Sequence, residues 1–107
     1  RLVEALSEWL HYKVRTRMWG YAPDEKCDPA EILKGHYQGI RPAIGYPISP
    51  DHGHKRVLFD VMGVEDSIPM RLNKELMMEP ASSVCGFYFS HPFTSYFSVG
   101  RGAPQEV

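Results

Sequence analysis

Nine consecutive residues carry the chemistry most open to interpretation: Gly39-Ile40-Arg41-Pro42-Ala43-Ile44-Gly45-Tyr46-Pro47. Pro42 and Pro47 remove backbone donors and fix φ, which excludes a helix or an inner strand. Each proline also drives its predecessor, Arg41 or Tyr46, toward extended geometry. Gly39 and Gly45 permit positive φ or a close approach of backbone to a ligand. The spelling predicts a stiff, extended loop with a guanidinium near one end and a phenol near the other. Such a loop loses little entropy when it grips a small molecule. Arg41, between isoleucine and proline in that loop, is placed rather than merely solvated. Its planar fork matches a carboxylate or phosphate bidentately, worth about 1.5–3 kcal/mol where water is excluded. Two arrangements satisfy it: a bound ligand, or an internal carboxylate that holds the loop. Tyr46, Tyr96 and Phe97 add aromatic surface suited to an adenine face or a cationic sulfonium; all three also suit plain core packing, which strand alternation favours for Phe97.

Other constellations are weaker. The five histidines include His52 and His54 at HxH spacing, but no CxxC pair or second His motif completes four zinc ligands. They are expected to open a helix in solvent, and no metal site is predicted. There is no GxSxG elbow, no GxxxxGK[ST] and no GxGxxG. Cys85 lies in an apolar run, where a cysteine is ordinarily inert packing. No catalytic residue is therefore assigned.

The elements that must position these residues follow from periodicity. Leu2, Leu6, Trp9, Leu10, Val14 and Met18 recur near 3.6 spacing and predict a helix over 2–18, stopped by Gly20 and Pro23. Asp28-Pro29-Ala30-Glu31 predicts a second helix, capped by Asp28 and begun by Pro29, that ends near Gly35. After the loop, Ser49-Pro50-Asp51 offers a cap for a third helix, with Val57, Leu58, Val61 and Met62 in a stripe and Gly63 at its C-terminus. Residues 68–72 suit a short strand; 73–78 suit a helical turn or another extended piece. Residues 82–89 and 94–100 read as strands joined by a turn at 90–93. The sum is an α+β fold, an antiparallel sheet flanked by helices.

At 107 residues the chain suffices for one domain over 1–107, or for the later portion of a longer one. Twelve basic and thirteen acidic side chains nearly cancel, so charge argues for neither a nucleic-acid nor a membrane partner. No apolar run approaches the ~18 residues of a membrane span. Two cysteines without dense spacing read as reduced thiols in a cytoplasmic protein.

Four segments in order give a family resemblance: Trp19-Gly20-Tyr21-Ala22-Pro23-Asp24-Glu25, Tyr37 through Pro47, Pro50-Asp51-His52, and Pro80 through Pro92. Together they resemble the C-terminal activation domain of cobalamin-dependent methionine synthase. The resemblance implies binding of S-adenosylmethionine and a role in the reductive methylation that reactivates cob(II)alamin. The cobalamin would be held by a neighbouring domain of the same or a partner chain, with a flavodoxin-type reductase as electron donor. Arg41 then matches the arginine that meets the ligand, most simply through its carboxylate. Ala43 and Gly45 match loop positions whose backbone lies against it, and Tyr46 the loop tyrosine near the transferred methyl. Tyr96 and Phe97 match an aromatic pair bordering the ligand, and Glu4 a helix glutamate linked to the same site. Gly35 stands where the family often has glutamate, and Ile44 where it often has proline. Such a chain is part of a methyltransferase and does not form methionine by itself. The rival expectation is a stand-alone, non-catalytic binding domain of the same fold that partners another corrinoid protein.

Overall fold

The computed structural model describes residues 2–96. They comprise helix α1 (Leu2–Lys13), a π-helix (Val14–Met18), α2 (Pro29–Leu33), α3 (Gly53–Met62), α4 (Val64–Ser67), and strands β1 (Arg71–Leu72) and β2 (Met78–Glu79). β1 and β2 pair antiparallel, Arg71 opposite Glu79 and Leu72 opposite Met78. Helices with a small antiparallel sheet make the fold α+β. The described residues fall into two compact units, 2–41 with 88–95 and 42–87 with Tyr96.

In the first unit, the predicted helix over 2–18 forms, but its last stretch widens to π geometry. The Trp19 N–H reaches back five residues to the Val14 carbonyl at 3.1 Å. Of the predicted apolar stripe on this helix only Val14 is buried. Leu2, Leu6, Trp9 and Met18 are exposed, whereas His11, Val14 and Arg15 are buried. A polar series at helical spacing, Glu8, His11 and Arg15, supplies the inner partners instead, because each finds a hydrogen bond there. α2 starts as its sequence dictates: Asp28 accepts from the Ala30 N–H at 3.1 Å, and Pro29 occupies the first turn.

The Tyr37–Arg41 segment docks through its backbone. The Ile40 N–H donates to the Phe89 carbonyl at 2.9 Å, and the Phe89 N–H returns the bond at 3.0 Å. Gly39 is required beside them. Its φ is +87°, and a Cβ there would lie 2.2 Å from the Phe89 carbonyl oxygen. The Gln38 amide closes the contact by donating to the Ser90 carbonyl at 2.7 Å.

In the second unit, α3 buries Phe59 and Lys55 and ends on Gly63 at φ +61°, the left-handed cap its sequence offered. Asp51 accepts from the Gly53 N–H at 2.8 Å and fixes the helix start. β1 and β2 are joined by a turn in which the Asn73 side chain accepts from the Glu75 and Met77 N–H groups. Arg71 and Glu79, opposite each other, form a 2.8 Å ion pair.

The strand expected over 82–89 does not form as a regular element. Its place is taken by single bridges, Ile40 with Phe89 in the first unit and Ala43 with Gly86 in the second. The partner segment contains Pro42, which has no N–H and so cannot extend a ladder. The turn after residue 90 is present, with the Thr94 N–H donating to the His91 carbonyl at 3.2 Å. The strand expected over 94–100 falls mostly outside the described residues; 94–96 are irregular.

Candidate functional site

Arg41 sits at the centre of a buried polar network in the first unit. Its two terminal nitrogens grip the Glu8 carboxylate end-on, Nη1 to Oε1 and Nη2 to Oε2, each at 3.0 Å. Nη1 also lies 2.9 Å from His11 Nδ1 and 2.9 Å from the Tyr37 hydroxyl. A guanidinium can only donate, so His11 Nδ1 accepts, and its proton resides on Nε2, facing the Tyr21 hydroxyl at 3.4 Å. Nη1 has two hydrogens for three acceptors, so one hydrogen is shared. Burial alone would lower the Arg41 pKa; the bonds to Glu8 and the Tyr37 contact outweigh it and hold it above its ordinary value.

Arg15, fully buried, repeats the arrangement one layer away. Its Nε and Nη2 meet Glu25 at 2.6 and 2.8 Å, and its guanidinium lies 3.7 Å from the centre of the Tyr37 ring, a stacked cation–π contact. Tyr37 thus joins the two arginines, one on its face and one at its hydroxyl. Burial, reinforced by Glu8, pushes its pKa up to about 12. His11 packs edge-on against Tyr37 and tilted against Tyr88, with ring centroids 5.1 and 5.0 Å away. Burial first, then the charges of Arg15 and Arg41, lowers the His11 pKa to about 3. The imidazole is therefore neutral throughout the physiological range.

The residues that follow Arg41 in sequence form a tight turn in the second unit. Gly45 donates to the Ser49 carbonyl at 2.7 Å, and Ser49 to the Tyr46 carbonyl at 2.9 Å. Ile44 donates to the Cys85 carbonyl, and Phe87 to the Pro42 carbonyl, both at 3.0 Å. Gly86 admits that approach, because a Cβ on it would fall 2.4 Å from the Pro42 oxygen. At Gly45 φ is +106°, and the His52 imidazole lies where a Cβ would go, its Cε1 2.5 Å away. Ala43, Gly45 and Tyr46 are half-buried in this turn. Cys85 is half-buried, and desolvation raises its pKa, which makes it a poor nucleophile.

Of the residues singled out by sequence, Arg41 lies in the first unit's network, and Ala43, Gly45 and Tyr46 share the second unit's turn. Glu4 lies exposed in the first turn of α1. Tyr96 is about one-third exposed, and Phe97 lies outside the described residues. Glu8, His11 and Tyr37 were not singled out as site residues, and His52 was weighed only as a metal ligand. The only signal for the first two was their helical register with Arg15. No group of His, Cys, Asp and Glu suited to hold a metal ion occurs among the described residues. No described helix is long and apolar enough to cross a membrane.

This geometry has known relatives. The sequence matches the profile of the vitamin B12 dependent methionine synthase activation domain over residues 1–107. Among solved structures, the MetH reactivation domain bound to AdoHcy is similar, with a TM-score of 0.83 and 45% identity. The match covers 91% of this chain and 30% of that one, so the chain spans less than a third of that relative's length. A profile match along the whole sequence, with a close structural relative of the same kind, places this chain in the vitamin B12 dependent methionine synthase activation domain family.

Proposed function

We propose that this chain binds S-adenosylmethionine and serves the reductive methylation that reactivates cob(II)alamin in a cobalamin-dependent methionine synthase. The observation that carries this reading is the likeness to a reactivation domain bound to AdoHcy, the form left when S-adenosylmethionine has given up its methyl. Cobalamin belongs to a neighbouring domain, and a flavodoxin-type reductase supplies the electron.

Taken one by one, the proposed site residues have chemistry suited to such a ligand. Arg41 offers the charge and fork geometry that a carboxylate requires. Gly45, at positive φ, shapes the turn, with the His52 imidazole packed where its side chain would be. Tyr46 contributes a half-buried ring, suited to a sulfonium or an adenine face. Glu4, Ala43, Tyr96 and Phe97 complete the proposed set by family likeness. S-adenosylmethionine supplies the methyl group; the protein's part is to bind and orient it. The second reading, a stand-alone binding domain of the same fold that partners another corrinoid protein, is favoured by one observation: Arg41 already holds an internal carboxylate.

Calorimetric titration of S-adenosylmethionine into the full-length protein separates them. Measurable binding that falls about tenfold or more in Arg41→Lys, which keeps the charge but loses the fork, supports the first reading. Absence of binding by the parent protein supports the second.

A further inference from the structure

Glu8 holds Arg41 in the same way that arginine holds a free carboxylate: two parallel N–H···O contacts of 3.0 Å to the two oxygens of one group. The two partners of that ion pair differ in burial. The Arg41 side chain is 11% exposed and Glu8 24%, and Glu8 projects from α1, whose opposite side is open to solvent. Of the other described partners of Nη1, His11 packs against Tyr37, and Tyr37 against Arg15. The network therefore has a fixed part, the arginine with its neutral acceptors, and a part able to leave, the glutamate.

Charge accounting leads to the same division. Glu25 neutralises Arg15. His11 and Tyr37 carry no charge in the physiological range. Among the described residues, Glu8 is the anion that meets Arg41. If Glu8 turns outward it regains hydration, while an incoming carboxylate loses its own. Such an exchange is nearly balanced, unlike the removal of Glu8 with nothing in its place, which would leave a desolvated guanidinium unmatched.

We propose that Glu8 is a resident competitor for Arg41: it occupies the guanidinium as an internal carboxylate, and a ligand's own carboxylate takes that position by displacing it. This rests on the reading of Arg41 as the ligand's carboxylate contact. Ligands lacking the group, such as decarboxylated S-adenosylmethionine, leave Glu8 in place and gain nothing from Arg41. Glu8 thereby weakens the binding of an amino-acid-bearing sulfonium or thioether and narrows its advantage over the corresponding amine.

The test uses the full-length protein and three probes: S-adenosylmethionine, S-adenosylhomocysteine and decarboxylated S-adenosylmethionine. Glu8→Gln keeps the shape and one acceptor but removes the charge. It is expected to bind the two carboxylate ligands about tenfold more tightly and the decarboxylated one unchanged. Carboxylate-ligand affinity equal to or below that of the parent overturns the proposal. A crystal structure of the parent with S-adenosylhomocysteine gives an answer that does not depend on the variant. The expected result is the ligand's carboxylate on Nη1 and Nη2 of Arg41, with Glu8 beyond hydrogen-bonding distance. A ligand carboxylate on Arg41 with Glu8 still paired overturns the proposal and keeps the underlying reading. A ligand carboxylate away from Arg41 overturns both.

Discussion

His11 is an imidazole held beside two guanidinium groups, and that position has a thermodynamic consequence. Its pKa is about 3 in the folded chain, against an ordinary 6.5. Between those values the unfolded chain binds a proton that the folded chain refuses. The contribution of this residue is therefore complete above pH 6.5 and is lost progressively as the pH falls toward 3. One proton of difference corresponds to about 1.4 kcal/mol per pH unit inside that window. Urea unfolding measured from pH 7 to pH 4 should show this slope. His11→Asn, whose side-chain oxygen replaces Nδ1 as the acceptor for Arg41, should flatten it. An unaltered slope in the variant would assign the acid sensitivity to another group. The same residue shows why the site was only partly legible. Arg41 announced itself through its neighbours Gly39 and Pro42, but its partner Glu8 lies 33 residues earlier. Nothing local to Glu8 distinguishes it from a solvated helix glutamate.

The elements whose ends are set by local chemistry were legible. Asp28 and Pro29 specify the start of α2, and Gly63 specifies the end of α3, because caps and left-handed termini depend on adjacent residues alone. The face of α1 was not legible. Periodicity selects the apolar stripe, and hydrogen bonding across the fold overrode it. The 82–89 segment failed as a strand for a related reason, since pairing depends on a partner that here contains proline. What remains of that pairing is fragile. Gly86→Ala places a methyl against the Pro42 carbonyl, and both positions are backbone, so no side chain can swing aside. The variant should lose hydrogen-exchange protection at the Ile44 and Phe87 amides, while the α3 amides keep theirs. Full protection at Ile44 would show that the backbone yields at less cost than the geometry implies.

At the scale of the molecule, few large apolar side chains are deeply buried among the described residues: Val14, Ile40, Ile44 and Phe59. Many others, including Leu6, Trp9, Leu33 and Val61, face outward. Stability of this 107-residue chain should accordingly be unevenly distributed. Phe59→Ala should cost about 3–4 kcal/mol, whereas Leu6→Gln should change stability by less than about 0.5 kcal/mol. Equilibrium urea unfolding measures both, and equal losses would contradict the exposure of the α1 stripe. Family membership and the α+β class were legible from ordered motifs. The division into two units was not, because it depends on which loops close on which.

The pairing of Arg15 with Glu25 and of Arg41 with Glu8 encloses two cations and two anions around uncharged rings. Such a quartet projects almost no field beyond its own walls. Ions in the medium therefore have little to screen there, and a charged small molecule approaching it experiences no long-range pull. Recognition by this cluster would begin on contact, and its encounter rate would be set by diffusion and shape, with ionic strength nearly irrelevant.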